Sequence, residues 1–183
     1  GDPNVTPHTI GSIAEIVDVQ ALPFGRYFIS TVGRERFKIN EIVAREPYLI
    51  VEADVLTEDF TSDDEIAAIN ERVRALFGEY LELVVEFSGQ SSPVEIPADA
   101  QRTSFLIGDT LQIAETVKQR LLELGTTKQR LEAEEDFLGR LLPQLRRMLE
   151  RRRKELESRR ERGEDLSYRP NQEKYFGKHF SLN

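Results

Sequence analysis

An α+β chain is predicted, with a small antiparallel β unit first and a bundle of helices after it. Three observations predict it. Residues 10–56 are rich in β-branched side chains and are cut by turn chemistry, most clearly at Pro23-Phe24-Gly25. From about residue 63 the apolar residues recur at helical spacing instead. The last helical stretch is long and turns arginine-rich beyond Met148 and Leu149.

Residues 1–9, with two prolines and a glycine, read as a loop entering the first strand. Four strands are expected after it, over 12–19, 26–32, 34–43 and 48–56. Pro23 presets φ and Gly25 accepts positive φ, which separates the first run from the second. Gly33 alone separates the second from the third, as the turn of an antiparallel hairpin would. In the fourth run Leu49, Val51, Ala53 and Val55 alternate with Tyr48, Ile50, Glu52 and Asp54, the period of a strand with one buried face. Four strands close a barrel poorly. The start inside a loop therefore predicts that earlier strands of the native domain precede this sequence.

A first helix is expected from about Asp63 to Phe87, with Ser62 and Glu65 as a capping box and a broad apolar stripe from Ile66 to Phe87. A second should run from about Ala98 to Gly108, with Pro97 in its first turn. A third runs from about Glu115 to Leu124 and ends at Gly125 as its C-cap. The fourth starts near Thr127 and extends toward Arg162, with Pro143 expected to kink or break it. Between Arg146 and Arg162 nine Arg and Lys stand against four Glu, so this part is expected to project into solvent or toward another chain. The polar tail would be disordered alone, and Tyr175, Phe176 and Phe180, with Tyr168, are its expected anchors in cis or in trans. The organisation expected is a β subdomain (1–58), a helical bundle (59–145), a charged helical extension (146–162) and an aromatic-containing tail (163–183).

A net charge of −8 argues against general binding to nucleic acid or an anionic membrane, because phosphate contacts need a basic surface. With no Cys, disulfides, thiolate catalysis and thiolate metal sites are excluded, which fits a cytoplasmic protein. No apolar run approaches the roughly 20 residues of a membrane helix.

Little in the sequence points to catalysis. The one Gly-Lys pair, Gly177-Lys178, is followed by His179 and lacks the glycine of a phosphate loop. His8 and His179 lie far apart in sequence without metal-ligand spacing and read as surface residues. Asp63-Asp64 and Glu134-Glu135 are adjacent rather than a turn apart, so they read as solvated or capping charge. The arginine-rich helix is interleaved with Glu150, Glu155, Glu157 and Glu161, which favours a salt-bridged exposed helix over an RNA contact.

Several stretches carry a resemblance. Gly11-Ser12-Ile13-Ala14, Leu22-Pro23-Phe24-Gly25-Arg26, Gly33 with Arg36-Phe37, and Pro47-Tyr48 are similar to the substrate-binding N-terminal domain of the Lon protease family. Leu111, Ile113, Lys118-Gln119, Leu121-Leu122-Glu123 and Arg130-Leu131 resemble the helical part that follows it. The resemblance covers about residues 9–142. It implies a PUA-like β-barrel, here partial because the family's opening strands are absent, followed by a helical bundle. It also implies recognition of unfolded or tagged polypeptides or of adaptor proteins. The ATPase and Ser–Lys peptidase domains of full Lon proteases have no counterpart in this sequence, so a non-catalytic module without cofactor is expected.

Four residues of the resemblance are the candidate peptide contacts, Phe24, Arg26, Arg36 and Tyr48. Phe24 on a turn is placed either to catch an extended peptide by strand addition or to pack on other parts of the domain. For Arg26 and Arg36 the competing reading is hairpin stabilisation, the stems covering apolar sheet while the heads pair with acids. The rival functions are an RNA-binding PUA-like module and a homo-oligomer built through the long helix and tail.

Overall fold

In the computed structural model, residues 6–58, 64–89 and 94–163 are described. Strands β1 (Ile10–Leu22), β2 (Arg26–Ala44) and β3 (Ile50–Leu56) precede helices α1 (Asp64–Ser88), α2 (Ala100–Thr110), α3 (Glu115–Glu123) and α4 (Thr127–Glu161). The chain divides into two units at residues 59 and 60, one of strands and one of helices.

The β unit is one antiparallel sheet in the order β1-β2-β3. Its first turn is the expected one. Pro23–Gly25 forms a tight turn in which Phe24 (φ 66°) and Gly25 (φ 70°) both stand at positive φ. The hairpin expected at Gly33 does not form, because residues 26–32 and 34–43 belong to one strand, β2, and the sheet has three strands rather than four. Gly33 pairs across β1 with Ala14, and the register slips beside it, leaving Arg34 as the extra residue of a bulge. A glycine next to a bulge and a glycine in a tight turn look alike in sequence, since both relieve steric crowding. A second slip, between Ile16 and Asp18, puts the extra residue Val17 on β1. At the base of the sheet Gly11 pairs with Phe37, whose ring lies 2.6 Å from where a Cβ would stand, so only glycine fits under it.

In the helical unit, α1 and α4 run parallel. The ion pairs show it, since Glu65, Arg72, Glu79 and Glu86 of α1 meet Lys128, Glu135, Arg146 and Arg153 of α4 at 2.8, 2.6, 2.5 and 2.5 Å. The α1 partners fall every seven residues, the spacing that keeps side chains on one flank of a helix pair. Inside that flank, Ile69, Val73, Phe77 and Tyr80 of α1 pack with Leu131, Leu138, Leu141, Leu142 and Leu145 of α4, with Ile107 and Leu111 added from the α2 end. The arginine-rich stretch, expected to project into solvent or toward another chain, is salt-bridged and exposed, and its first part is tied to α1. Arg146 and Arg153 pair with α1, and Arg152 stacks over Phe87 at 4.7 Å while donating to its carbonyl at 2.6 Å.

The helix boundaries hold with three corrections. α2 starts at Ala100, capped by Asp99, whose Oδ1 accepts the Arg102 N–H at 2.8 Å. Pro97 lies before the helix and accepts the Thr103 hydroxyl at 2.9 Å. Asp99→Ala removes that cap and should cost about 1 kcal/mol of stability, read from denaturant unfolding. Gly125 does not take the left-handed C-cap conformation, for the chain leaves α3 in an extended conformation at Leu124 (ψ 131°) and goes directly into the Thr126–Gln129 capping box of α4. Pro143 does not break α4, which continues to Glu161. The carbonyl its ring must pass is that of Gly139, four residues back, where no Cβ adds to the crowding. The proposed Ser62 cap and the tail anchors Tyr175, Phe176 and Phe180 lie outside the described residues.

Candidate functional site

β3 pairs only with Arg36–Ala44 of β2, so the stretch Arg26–Glu35 stands out with β1 as a two-stranded arm tipped by Pro23–Gly25. Directly opposed residues share a face. Val19 with Ile29 and Ala21 with Tyr27 form one face near the tip, and Gln20 with Phe28 and Leu22 with Arg26 form the other. The first face is apolar, whereas the second mixes Phe28 and Leu22 with Gln20 and Arg26. Among the described residues nothing packs over these faces near the tip, and Tyr27, Phe28, Ile29, Val19 and Leu22 are all exposed.

Phe24 is 95% exposed at the tip. It also sits in the left-handed region, where a bulky residue is disfavoured and where Asn or Asp would be the ordinary choice. Arg26 beside it reaches back with Nε to the Pro23 carbonyl at 3.4 Å, an exposed contact that closes the turn. Arg36 lies ten residues along β2, at the base of the arm, where its guanidinium is buried and donates to the equally buried Glu58 carboxylate. Its strand partner is Leu56, the last residue of β3, so this ion pair marks where the third strand ends. Tyr48 is exposed in the connection from β2 to β3, at the end of β2 remote from the tip. The structure thus brings Phe24 and Arg26 together and holds Arg36 and Tyr48 apart from them. The apolar residues Tyr27, Phe28 and Ile29 complete the tip cluster. They were readable as a β-branched and aromatic run, but their exposure was not.

The helical unit holds a polar cluster that the sequence reading missed. Arg130 is buried, and donates to Ser104 Oγ at 3.0 Å, Thr127 Oγ1 at 3.0 Å and the Leu124 carbonyl at 3.3 Å. Its guanidinium lies 4.2 Å from the Phe105 ring centre, a cation–π contact. One turn on, Glu134 is fully buried and neither carboxylate oxygen has a hydrogen-bond partner among the described residues. Burial pushes its pKa up to about 9, against the smaller pull of Arg130 in the other direction. The expectation that Glu134-Glu135 is solvated charge is therefore wrong for Glu134. A signal was present, because Thr127, Leu131, Glu134, Leu138, Leu141 and Leu145 share one helical stripe and Glu134 occupies a core position in it. Its neighbour Glu135 faces outward, and its carboxylate is held below the usual range by hydrogen bonds from Arg72. Among the described residues no group of three or more His, Cys, Asp or Glu is arranged to hold a metal ion, and no helix is long and apolar enough to cross a membrane.

The model of the ATP-dependent protease La (LON) substrate-binding domain family matches residues 3–140. The chain belongs to that family. Among curated proteins, the Lon protease of Brevibacillus choshinensis is 26% identical over 126 residues, and that of Flavobacterium johnsoniae 29% identical over 135. These matches cover 68% and 67% of this chain but only 16% and 15% of the relatives, so this Lon substrate-binding domain spans about one-sixth of their length. Among solved structures, the N-terminal domain of the Mycobacterium avium complex Lon protease gives a TM-score of 0.56 at 22% identity, over 72% of this chain and 70% of that one. That likeness establishes the α+β fold of the Lon domain, strands first and helices after.

Proposed function

We propose that this chain is a non-catalytic module that binds polypeptide, either unfolded or tagged segments or an adaptor protein, through the tip of its β arm. The observation that carries the reading is Phe24. A fully exposed aromatic held at positive φ costs local stability and gains nothing within the described fold. Family membership supports a substrate-binding role, and the apolar face of Val19, Ala21, Tyr27 and Ile29 behind Phe24 extends the contact along the arm. Binding is reversible and weak at each site, because an unfolded segment loses conformational entropy when it is captured. It needs no ATP.

Fluorescence titration of a reduced, carboxymethylated protein with this chain tests the reading. Phe24→Asn should weaken binding about tenfold, the loss of one well-buried aromatic contact. The same variant should melt at an equal or higher temperature, since Asn is better suited to the left-handed turn. Undiminished binding would remove the tip from the site. RNA binding gains no support from the arm, which presents apolar side chains rather than a basic surface.

A further inference from the structure

Asn70 of α1 and Glu134 of α4 are both buried in the helical unit, and both hold oxygens without a donor. Asn70 Nδ2 donates to the Ala98 carbonyl at 3.0 Å. Its Oδ1 accepts nothing among the described residues, and neither do the two Glu134 oxygens. Buried acceptors are rarely left so. The register of the parallel pair puts these two residues in one layer. Phe87 meets Arg152, 65 residues further along the chain, and the flanking ion pairs Arg72–Glu135 and Glu79–Arg146 span 63 and 67. The Phe87 spacing sets Val73 level with Leu138 in the core, and Ile69 level with Glu134 with Asn70 beside it.

We propose that Glu134 is a proton-bearing clamp, its neutral carboxyl donating its hydrogen to Asn70 Oδ1 and so joining α4 to α1. An ionised carboxylate only accepts, whereas the protonated group also donates, and one proton turns two unmatched acceptors into a pair. Through Asn70 Nδ2 the link continues to the Ala98 carbonyl, just before α2. The two carbonyls before it are held as well, that of Pro97 by the Thr103 hydroxyl at 2.9 Å and that of Ile96 by Arg74 at 3.5 Å. The clamp therefore fixes the entry to α2 along with the α1–α4 pair. Few charges act on it. On α4, Arg130 lies one turn before Glu134 and pulls the carboxyl toward ionisation. On α1, Arg74 binds Glu71 and the Ile96 carbonyl, while Glu65 and Arg72 pair with Lys128 and Glu135 on the flank. The buried residues of α2 are Thr103, Ser104 and Ile107, none of them charged. Once the proton leaves, at about pH 9, a carboxylate faces an amide oxygen and repels it. Turning the amide away takes the donor from Ala98, so alkali loosens the entry to α2. The clamp lies within the helical unit and does not depend on the polypeptide-binding reading.

The side-chain carboxyl and carboxamide carbon signals of the full chain, followed by NMR between about pH 5 and pH 11, test the clamp. The Asn70 carboxamide and the Glu134 carboxyl should move together, with a single midpoint. Asn70→Leu removes the acceptor that holds the neutral acid. The Glu134 midpoint should then fall by about one pH unit, a tenfold change in its ionisation constant. Glu134→Gln keeps a donor at this position, so in that variant the Asn70 signal should not titrate. An Asn70 signal that fails to follow Glu134 in the unsubstituted chain overturns the clamp, whether or not the variants fold. So does a Glu134 midpoint that Asn70→Leu leaves unchanged.

Discussion

Replacing Glu134 by Gln should flatten the dependence of stability on pH between about pH 5 and pH 9. An ordinary Glu in the unfolded chain ionises near 4.5, whereas the buried Glu134 carboxyl holds its proton to about 9. Between these values the folded chain binds one proton more than the unfolded chain. The free energy of unfolding therefore falls as pH rises, by at most about 1.4 kcal/mol per pH unit. The contribution is fully present below the unfolded value and is spent once pH passes the folded one. Gln at this position has no proton to lose. The two proteins should be close in stability at pH 5, with the variant ahead by on the order of a few kcal/mol at pH 8. Denaturant midpoints at each pH from 5 to 9 measure the difference directly. Parallel curves for the two proteins would mean that Glu134 is not buried as described.

Helices were the most legible part of the sequence, because their signals are local. The α4 start near Thr127 was placed to the residue, and the α1 stripe of Ile69, Val73, Phe77 and Tyr80 was read from its spacing. The strand count was not legible at Gly33, since whether a glycine turns the chain or relieves a bulge depends on what lies across the ladder. The same limit hid the partners of α1. Glu65, Arg72, Glu79 and Glu86 look like solvated charges until α4 is laid parallel beside them, and that placement depends on the crossover through α2 and α3. Alternation in β3 was legible as a period but not as burial. Val51 is half-buried while Val55 is exposed, because periodicity assigns residues to a face without saying what covers it. At the candidate site, Pro23-Phe24-Gly25 was legible as a turn. The positive φ of Phe24 was not.

Arg130→Ala should be strongly destabilising in the helical unit, at about 3 kcal/mol or more, since each buried acceptor that loses its donor costs roughly 1–3 kcal/mol. The side chain spans the packing of α2 against α4. Its loss removes the hydrogen bonds to the Leu124 carbonyl and to the Ser104 and Thr127 hydroxyls, and takes the cation from the Phe105 ring. Its coupling to Glu134 is a separate quantity, and pH divides the two. At pH 6 Glu134 is neutral, so a double-mutant cycle of Arg130→Ala with Glu134→Leu should return a coupling below about 0.5 kcal/mol, while the Arg130→Ala loss stays large. At pH 9.5 the carboxylate is charged and Arg130 is the cation one turn away, so the coupling should exceed about 1 kcal/mol. A coupling that is large and equal at both pH values would show a permanent ion pair, and the carboxyl would then be charged at neutral pH. The distinction decides what the cluster does. A neutral Glu134 leaves Arg130 to hold α2 on α4 through the Ser104 hydroxyl and the Phe105 ring, so the scaffold is sensitive to alkali but indifferent to acid. A charged pair would make it sensitive to both.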